Sequence, residues 1–388
     1  MHFTFTEEQE LIREAAHEFF QKHGASERLR AAVDSAPAYD EETWRAMAEE
    51  MGWAGIRVPE HLGGSGLGHV ELAILQQEAG RYLLPSPFFA TVCLATPAIM
   101  LAGNESQRAS LLPGIARGET RATVAMTGLR GVPGVDGIAL RLEHGAQGYR
   151  LSGEVSYVIY GHVADLYVIA ARTPGTHGVE GITLLTLPAG TPGIHVERLF
   201  MLDLTRPMAR MRFDDVAVSP DQILGVAGQA GNAVAKMLCH AQIALAAEQA
   251  GGAQNVLDLT TAFAMQRVQF GRPIGSFQAV KHRLADMMVQ VEAAKSAVYY
   301  AACIADEDRE ELAEAAAIAK ACCSEAFMEC AGNMIQLHGG IGFTWEHDAH
   351  LYFKRARASA TLLGTAQYHR ERLAEMLGLG SSPQRSVA

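Results

Sequence analysis

Arg267-Val268-Gln269-Phe270-Gly271-Arg272-Pro273-Ile274, with Phe277-Gln278 close behind, stands in a carboxy-terminal part otherwise dominated by Ala, Leu, Met, Glu and Gln. From about 230 to 379 that composition runs in long helical patterns with few breakers, which predicts a helical bundle. Two later runs bear on the same reading: Gln336-Leu337-His338-Gly339-Gly340-Ile341-Gly342-Phe343-Thr344 and Thr361-Leu362-Leu363-Gly364-Thr365-Ala366-Gln367. The charged stretch at 307 to 311 is most simply a solvated turn between bundle helices.

Outward from the bundle the texture changes. Residues 121 to 222 hold most of the β-branched runs, at 122 to 126, 166 to 170 and 182 to 187, punctuated by Pro133-Gly134, Pro174-Gly175 and Pro192-Gly193. This predicts a small β domain. Before it, Thr6-Glu7-Glu8-Gln9 is a capping box opening a helix whose apolar face is Leu11, Ile12, Ala15, Phe19 and Phe20. A second helix around Trp44, Met47, Ala48 and Met51 ends at Gly52, and residues 56 to 68 form a glycine-rich loop. Helix returns from about Val70 to Arg81, and Asn104-Glu105-Ser106 reads as a turn. Helices, then strands, then helices imply segregated layers and an α+β class.

The 388 residues, 49% hydrophobic and 19% charged, suffice for two or three domains around a substantial core. A formal net charge of -11 without a basic stripe argues against nucleic acid, whose binding relies on clustered Lys and Arg. Cys93, Cys239, Cys303, Cys322, Cys323 and Cys330 lack C-x-x-C spacing and read as free thiols suited to a reducing cytosol. The opening Met1-His2-Phe3-Thr4-Phe5-Thr6 has no basic region followed by an apolar one, and no apolar stretch approaches a bilayer's span. The expected location is therefore the cytoplasm, with no membrane partner. No Walker loop follows a strand, and no G-x-G-x-x-G opens a helix. His347 and His350 share a helical spacing, but no Cys or carboxylate set completes a shell around them, so no metal is expected.

The runs at 267 to 278 and 336 to 344 resemble the carboxy-terminal signature of the acyl-CoA dehydrogenases. The likeness extends over nearly the whole chain, since Met51-Gly52-Trp53-Ala54-Gly55-Ile56, Pro59-Glu60 and Gly63-Gly64-Ser65-Gly66 are similar to that family's amino-terminal part. The resemblance implies an amino-terminal helical domain at 1–120, a middle β-barrel-like domain at 121–222 and a carboxy-terminal four-helix bundle at 223–388. It also implies α,β-dehydrogenation of an acyl-CoA with FAD, a tetrameric assembly, and electron-transfer flavoprotein or a similar acceptor.

In that family a carboxylate removes the proton α to the thioester while hydride leaves the β carbon for the flavin. Three groups of residues carry the expectation. The first resembles contacts to the pyrophosphate and adenine half of FAD, made across a dimer interface. It comprises Arg267, whose planar fork suits phosphate, with Gln269, Phe270, Phe277, Gln278, Gln336, Thr365 and Gln367, and Gly339 and Gly340, where a Cβ would obstruct the dinucleotide. The plain alternative is that Arg267 caps a bundle helix and the glycines end one.

The second group holds the flavin ring within the same subunit. The family's Thr-Glu-Pro and Gly-Ser-Asp elements correspond here to Met126-Thr127-Gly128-Leu129-Arg130-Gly131-Val132-Pro133, so only Thr127 survives. Its Trp-Ile-Thr corresponds to Tyr157-Val158-Ile159, and Ile159 cannot donate the hydrogen bond of a Thr hydroxyl. Tyr157 and backbone amides remain available.

The third group is catalytic. Leu363 stands where the usual carboxylate is expected, and Ala241 at the family's other location for it, on an early bundle helix. Cys239 and Gln242 replace the Asp and Arg that often meet substrate. Neither Leu363 nor Ala241 can take a proton, so no catalytic residue is assigned. His240 and Glu248 are the substitutes to weigh, although a buried bundle histidine is more often a core residue.

The losses fall on the chain's own flavin ring and base, while the contacts to a neighbour's FAD look intact. That asymmetry resembles the heteromeric acyl-CoA dehydrogenases of bacteria that degrade steroid side chains, in which two related subunits form an α2β2 tetramer and only one type carries the carboxylate. The expectation is a non-catalytic subunit that completes the FAD site of a homologous catalytic partner, forming a 2,3-enoyl-CoA from a bulky acyl-CoA. Two alternatives stand beside it. One is an autonomous, homotetrameric FAD enzyme with a non-standard base or oxygen chemistry; the other is a catalytically silent binding or assembly protein.

Overall fold

The computed structural model describes residues 5–145 and 148–379, so the opening Met1-His2-Phe3-Thr4 read for a leader lies outside it. The Thr6 amide donates to Gln9 Oε1 at 3.1 Å and the Gln9 amide to Thr6 Oγ1 at 3.2 Å, the reciprocal box that starts α1 (Glu7–His23). α2 (Ser26–Asp34) and α3 (Glu41–Arg45) follow, the latter capped by the Asp40 carboxylate. The chain continues through a wider turn at Ala46–Glu50, where the Met51 amide reaches back to the Ala46 carbonyl at 3.2 Å. Gly52 then stops it at φ 67°.

Next come α4 (His69–Arg81), α5 (Thr96–Ala102) and α6 (Glu105–Ala116). Asn104 is a correction to the sequence reading. It is not part of a turn but the cap of α6: its side chain accepts from the Gln107 amide at 2.9 Å, and Gln107 Oε1 accepts from the Asn104 amide at 3.0 Å. α2 has only nine residues, fewer than the stretch over which a helical period is read, and Phe89–Ala95 is buried on every side, so it presents no polar face from which a period could be read. The 56 to 68 loop closes on itself, with the Ser65 amide on the Gly55 carbonyl at 3.0 Å and the Gly66 amide on the Val58 carbonyl at 2.9 Å. A Cβ on Gly64 would lie 2.1 Å from the Val58 carbonyl oxygen, so that close approach requires glycine.

The middle of the chain forms an eight-stranded sheet of β1 (Ala122–Ala125), β2 (Leu140–Gly145), β3 (Gly148–Ile159), β4 (Leu166–Arg172), β5 (Ile182–Pro188), β6 (Ile194–Arg198), β7 (Met208–Val218) and β8 (Ile223–Leu224). Its order is β6-β7-β3-β2-β4-β5-β8, with β1 running parallel to β4. Met211, Phe213, Val216 and Val218 of β7 point into one core with Leu140, Val155, Ile169 and Leu185. The sheet is open, which corrects the barrel-like expectation. β8 has only two residues, and the other edge, β6, shows His195, Glu197 and Arg198 to solvent, charges that discourage further pairing.

The bundle comprises α7 (Gly231–Gln266), α8 (Gln278–Asp306), α9 (Leu312–His338), α10 (Ala349–Thr361) and α11 (Ala366–Met376). A short hairpin of β9 (Val268–Gln269) and β10 (Arg272–Pro273) links α7 to α8, and the charged 307 to 311 run joins α8 to α9 as expected. The chain divides into two compact units, one of residues 1–18, 73–83 and 242–388, the other of residues 19–72 and 84–241. Among the described residues no helix is long and apolar enough to cross a membrane.

Candidate functional site

In the bundle-containing unit, the β9–β10 hairpin turns through Phe270 at φ 53° and Gly271 at φ 75°. A non-glycine residue in this left-handed region costs roughly 1–2 kcal/mol. Yet the Phe270 ring is 92% exposed and meets the Phe277 ring edge-on at 6.1 Å, while the Arg272 guanidinium lies 4.1 Å over the Phe277 ring. Arg267, Gln269 and Gln278 are exposed around it. The end of α9 lies alongside, because the His338 ring stacks on Phe263, four residues before Arg267, at 4.2 Å. Gln336 is exposed in that last helical turn, and Gly339 ends the helix at φ 63°. A Cβ on Gly339 or Gly340 would meet nothing within 4 Å. Gly339 does end a helix, as the plain reading has it, but nothing packed against it among the described residues requires glycine at 340. A bare aromatic, a charged fork, amide side chains and open glycine backbone fit the phosphate and base of a dinucleotide.

The same unit holds the turn at Leu363. Leu363 is also left-handed, at φ 58°, and its carbonyl accepts from His369 Nε2 at 3.0 Å. Lys320 Nζ donates to the next carbonyl, Gly364, at 3.1 Å, and also to the Ser359 carbonyl at 3.2 Å and Ser324 Oγ at 2.8 Å. Lys320 and His369 are both fully buried. Burial pushes the lysine down to about 7; burial, with the lysine's charge adding to it, pushes His369 down to about 4. His369 is thus neutral at pH 7 and donates from Nε2. Sequence reasoning missed both residues, although one lysine among Ala316, Ala317, Ala319 and Ala321 was the available signal.

Thr365 caps α11 by accepting from the Tyr368 amide at 3.2 Å, and Gln367 Nε2 donates to Glu371 Oε1 at 3.0 Å. Glu248 Oε1 accepts from Arg355 Nη1 at 2.9 Å, with side-chain exposures of 7% and 2%. Protonating this carboxylate would strand a buried guanidinium, which argues against it as a base.

In the sheet-containing unit, the Thr127 carbonyl accepts from the Ser156 amide at 2.9 Å. Tyr157 follows in a bulge of β3 at φ 63°, its ring 43% exposed. The Ile159 side chain is buried and its carbonyl takes the Thr123 hydroxyl at 2.6 Å. Beside them opens a cavity of about 450 Å³ whose walls include Gly128, Arg130, Asp136 and Glu154. Tyr157, Thr127 and strand backbone are the groups here that fit a flavin ring.

Ala241 is fully buried in α7, with Cys239 and Gln242 buried beside it. His240 is nearly buried, and its ring leans on that of His69 at 4.2 Å. His69 Nε2 in turn accepts from Arg57 Nη2 at 2.8 Å. Burial first, then the Arg57 charge, hold His69 well below the usual histidine range, so it is neutral.

His347 Nδ1 accepts from the Ala349 amide at 3.1 Å, and His350 is buried against the Trp345 edge at 4.6 Å. Among the described residues no three His, Cys, Asp or Glu are grouped to hold a metal ion. None of the six cysteines is in a disulfide; Cys93, Cys239, Cys323 and Cys330 are buried, Cys303 and Cys322 half-buried.

Residues 6–119 match the pattern described as acyl-CoA dehydrogenase, N-terminal domain, and residues 230–378 the acyl-CoA dehydrogenase, C-terminal domain. The chain is similar to the acyl-CoA dehydrogenase IpdE2 of Mycobacterium tuberculosis, 36% identical over 358 residues that cover 92% of this chain and 93% of that one. Among solved structures it is similar to a variant of the Tcur3481-Tcur3483 steroid ACAD, with TM-score 0.86 and 32% identity over 96% of this chain and 98% of that chain. It is also similar to a chain of the ChsE4-ChsE5 complex from Mycobacterium tuberculosis, with TM-score 0.88 and 27% identity over 98% of this chain and 100% of that chain.

Proposed function

The chain belongs to the acyl-CoA dehydrogenase family of FAD-dependent oxidoreductases acting on CH–CH bonds, and from that premise we propose that it is the subunit without a base in a two-component enzyme. The observation that carries the reading is the Leu363 turn: the position has no titratable side chain, and both of its carbonyls are clamped by buried donors. Ala241 likewise offers no proton acceptor, and Glu248 is committed to Arg355.

On this reading Arg267 holds the diphosphate of a partner's FAD by charge-assisted hydrogen bonds, Phe270 covers its adenine half, and Gln269, Phe277, Gln278, Gln336, Thr365 and Gln367 orient it. Gly339 and Gly340 let backbone approach it. Thr127 and Tyr157 are what remains toward a ring of the chain's own. FAD, when bound, supplies the hydride-accepting chemistry; the α proton goes to a carboxylate of the homologous partner. The names ChsE4-ChsE5 and Tcur3481-Tcur3483 belong to two-component assemblies, which supports a hetero-tetramer here, with a bulky, steroid-like acyl-CoA as substrate and a 2,3-enoyl-CoA as product. Electrons then pass to electron-transfer flavoprotein or a similar acceptor. We place the domain boundaries near 120 and 222, and the protein in the cytoplasm, where six thiols outside any disulfide are at home.

A second reading has one observation in its favour: His240, next to Ala241, lines a pocket and could act as base in an autonomous enzyme. Co-expression with a homologous chain that carries the carboxylate, followed by size exclusion and a flavin-to-protein ratio, separates the two. The subunit reading expects a mixed complex holding FAD and an isolated chain holding little. A yellow homotetramer whose activity vanishes in His240→Asn would replace it with the second.

A further inference from the structure

The Leu363 turn fixes the direction of the peptide that follows it. The Gly364 carbonyl points inward, where Lys320 Nζ reaches it at 3.1 Å, and the ammonium is itself held by Ser324 Oγ at 2.8 Å and the Ser359 carbonyl at 3.2 Å. Gln249 ties the two serines together, its Oε1 lying 3.2 Å from Ser324 Oγ and its Nε2 donating to Ser359 Oγ at 3.1 Å. All four side chains are buried. A Cβ on Gly364 would lie 2.5 Å from Tyr368 Cδ1 and 2.9 Å from His369 Nε2, so the backbone there is tightly enclosed. In a trans peptide the N–H points opposite to the C=O. A carbonyl held inward by Lys320 therefore aims the Thr365 amide outward, and Thr365 is exposed. Among the described residues nothing accepts from that amide, while Thr365 Oγ is taken by the Tyr368 amide. A charged donor on the carbonyl also polarises the planar unit and strengthens the N–H at its other end.

The groups around Lys320 leave its charge uncompensated. On its own helix burial keeps the Cys323 thiol protonated, and on α11 His369 is neutral. Glu325 of α9 pairs with Arg370 of α11 in solvent at 2.5 Å, and Arg372 adds positive charge. α7 and α10 contribute the neutral Gln249 and Ser359.

We propose that Lys320 is a positioning residue: through the Gly364 carbonyl it aims and polarises the Thr365 amide, which donates to an oxygen of the bound flavin dinucleotide. This rests on the reading above in which Thr365 meets FAD, and adds the group that holds it there and a dependence on that group's charge. Burial pushes Lys320 down to about 7, so the charge is present below neutral pH and lost above it. FAD should therefore bind more weakly as pH rises through that value.

The affinity for FAD of the complex with a homologous, carboxylate-bearing chain, followed by flavin fluorescence from about pH 6 to about pH 9, tests this without turnover. Binding is expected to be about fivefold weaker at the upper end, the margin of a charge-assisted over a neutral hydrogen bond. Lys320→Met abolishes that difference; a role confined to stability would lower Tm and leave the profile as it is. Thr365→Ala and Thr365→Pro both lose the hydroxyl, but only the proline loses the amide, and Thr365 lies at φ −75°, which proline accepts. Thr365→Ala should keep the pH dependence and Thr365→Pro lose it, a comparison that decides the question if Lys320→Met fails to fold. An unchanged profile in Lys320→Met, or the same profile in Thr365→Ala and Thr365→Pro, overturns the proposal. If the isolated chain holds FAD by itself, the same series is run on it, and a profile that depends on Lys320 keeps the positioning role while the subunit reading falls. A complex that holds FAD with a profile untouched by Lys320→Met keeps the subunit reading and removes the role of Lys320.

Discussion

Phe270 and Leu363 are both non-glycine residues in the left-handed conformation, and the chain treats them in opposite ways. The Leu363 turn is held from within, by His369 on one carbonyl and Lys320 on the next, so its strain is offset by buried hydrogen bonds of the same unit. Phe270 stands in solvent with no contact of comparable strength, and its neighbours Arg267, Gln269 and Gln278 are equally bare. Strain balanced internally belongs to the fold; strain left unbalanced points outside the chain. The contrast is why the hairpin reads as a surface for something another molecule brings, and the turn as a site whose chemistry has been replaced by packing.

The largest effect should come from the packed region. Arg355→Met leaves Glu248 buried without its partner and is expected to cost about 3–5 kcal/mol in chemical denaturation. A cost below about 1 kcal/mol would mean that Glu248 is not committed to the pair and returns as a candidate base. Lys320 comes next. Its folded value of about 7 lies below its unfolded value of 10.5, so the unfolded chain binds more protons between them. Stability should therefore rise with pH across that window, by up to about 1.4 kcal/mol per unit, and Lys320→Met should flatten the slope between pH 7 and 9. His369, lowered to about 4 from 6.5, gives the same sign at acid pH, stability being lost as pH falls from 6.5 toward 4. An unchanged slope in Lys320→Met would place the charge elsewhere.

Smaller effects sharpen the other side of the comparison. Thr365→Ala removes the cap of α11 and should cost about 1 kcal/mol by thermal melting. Phe270→Gly should leave the isolated chain within about 0.5 kcal/mol of wild type, while lowering the flavin content of a complex with a homologous partner. Destabilisation of the isolated chain by several kcal/mol would show that the ring serves this chain's own fold.

Local chemistry made much of this legible. Thr6 and Gln9 announced their box because both partners lie within one turn, whereas the 267 to 278 run marked the family without announcing the hairpin that it forms. Asn104 misled because an Asn favours turns and helix caps alike, and only Gln107, three residues on, distinguishes them. Whether the sheet closes depends on pairing between β6 and β8, strands far apart in sequence, and no run of residues reports that. Lys320 and His69 owe their character to groups 44 and 12 residues away, Gly364 and Arg57. The absence of a carboxylate at 363 was plain in the sequence; the clamp that occupies the turn was not.

The central claim is that this chain has no group of its own able to take the α proton, and acyl-CoA oxidation by the purified chain supplied with FAD tests it most directly. Followed with an artificial electron acceptor, beside the same chain in complex with a carboxylate-bearing homologue, turnover should appear only in the complex. The lone chain should be slower by at least the ~10²–10⁴ that a positioned general base contributes. Turnover by the lone chain at a rate comparable to the complex would contradict the account.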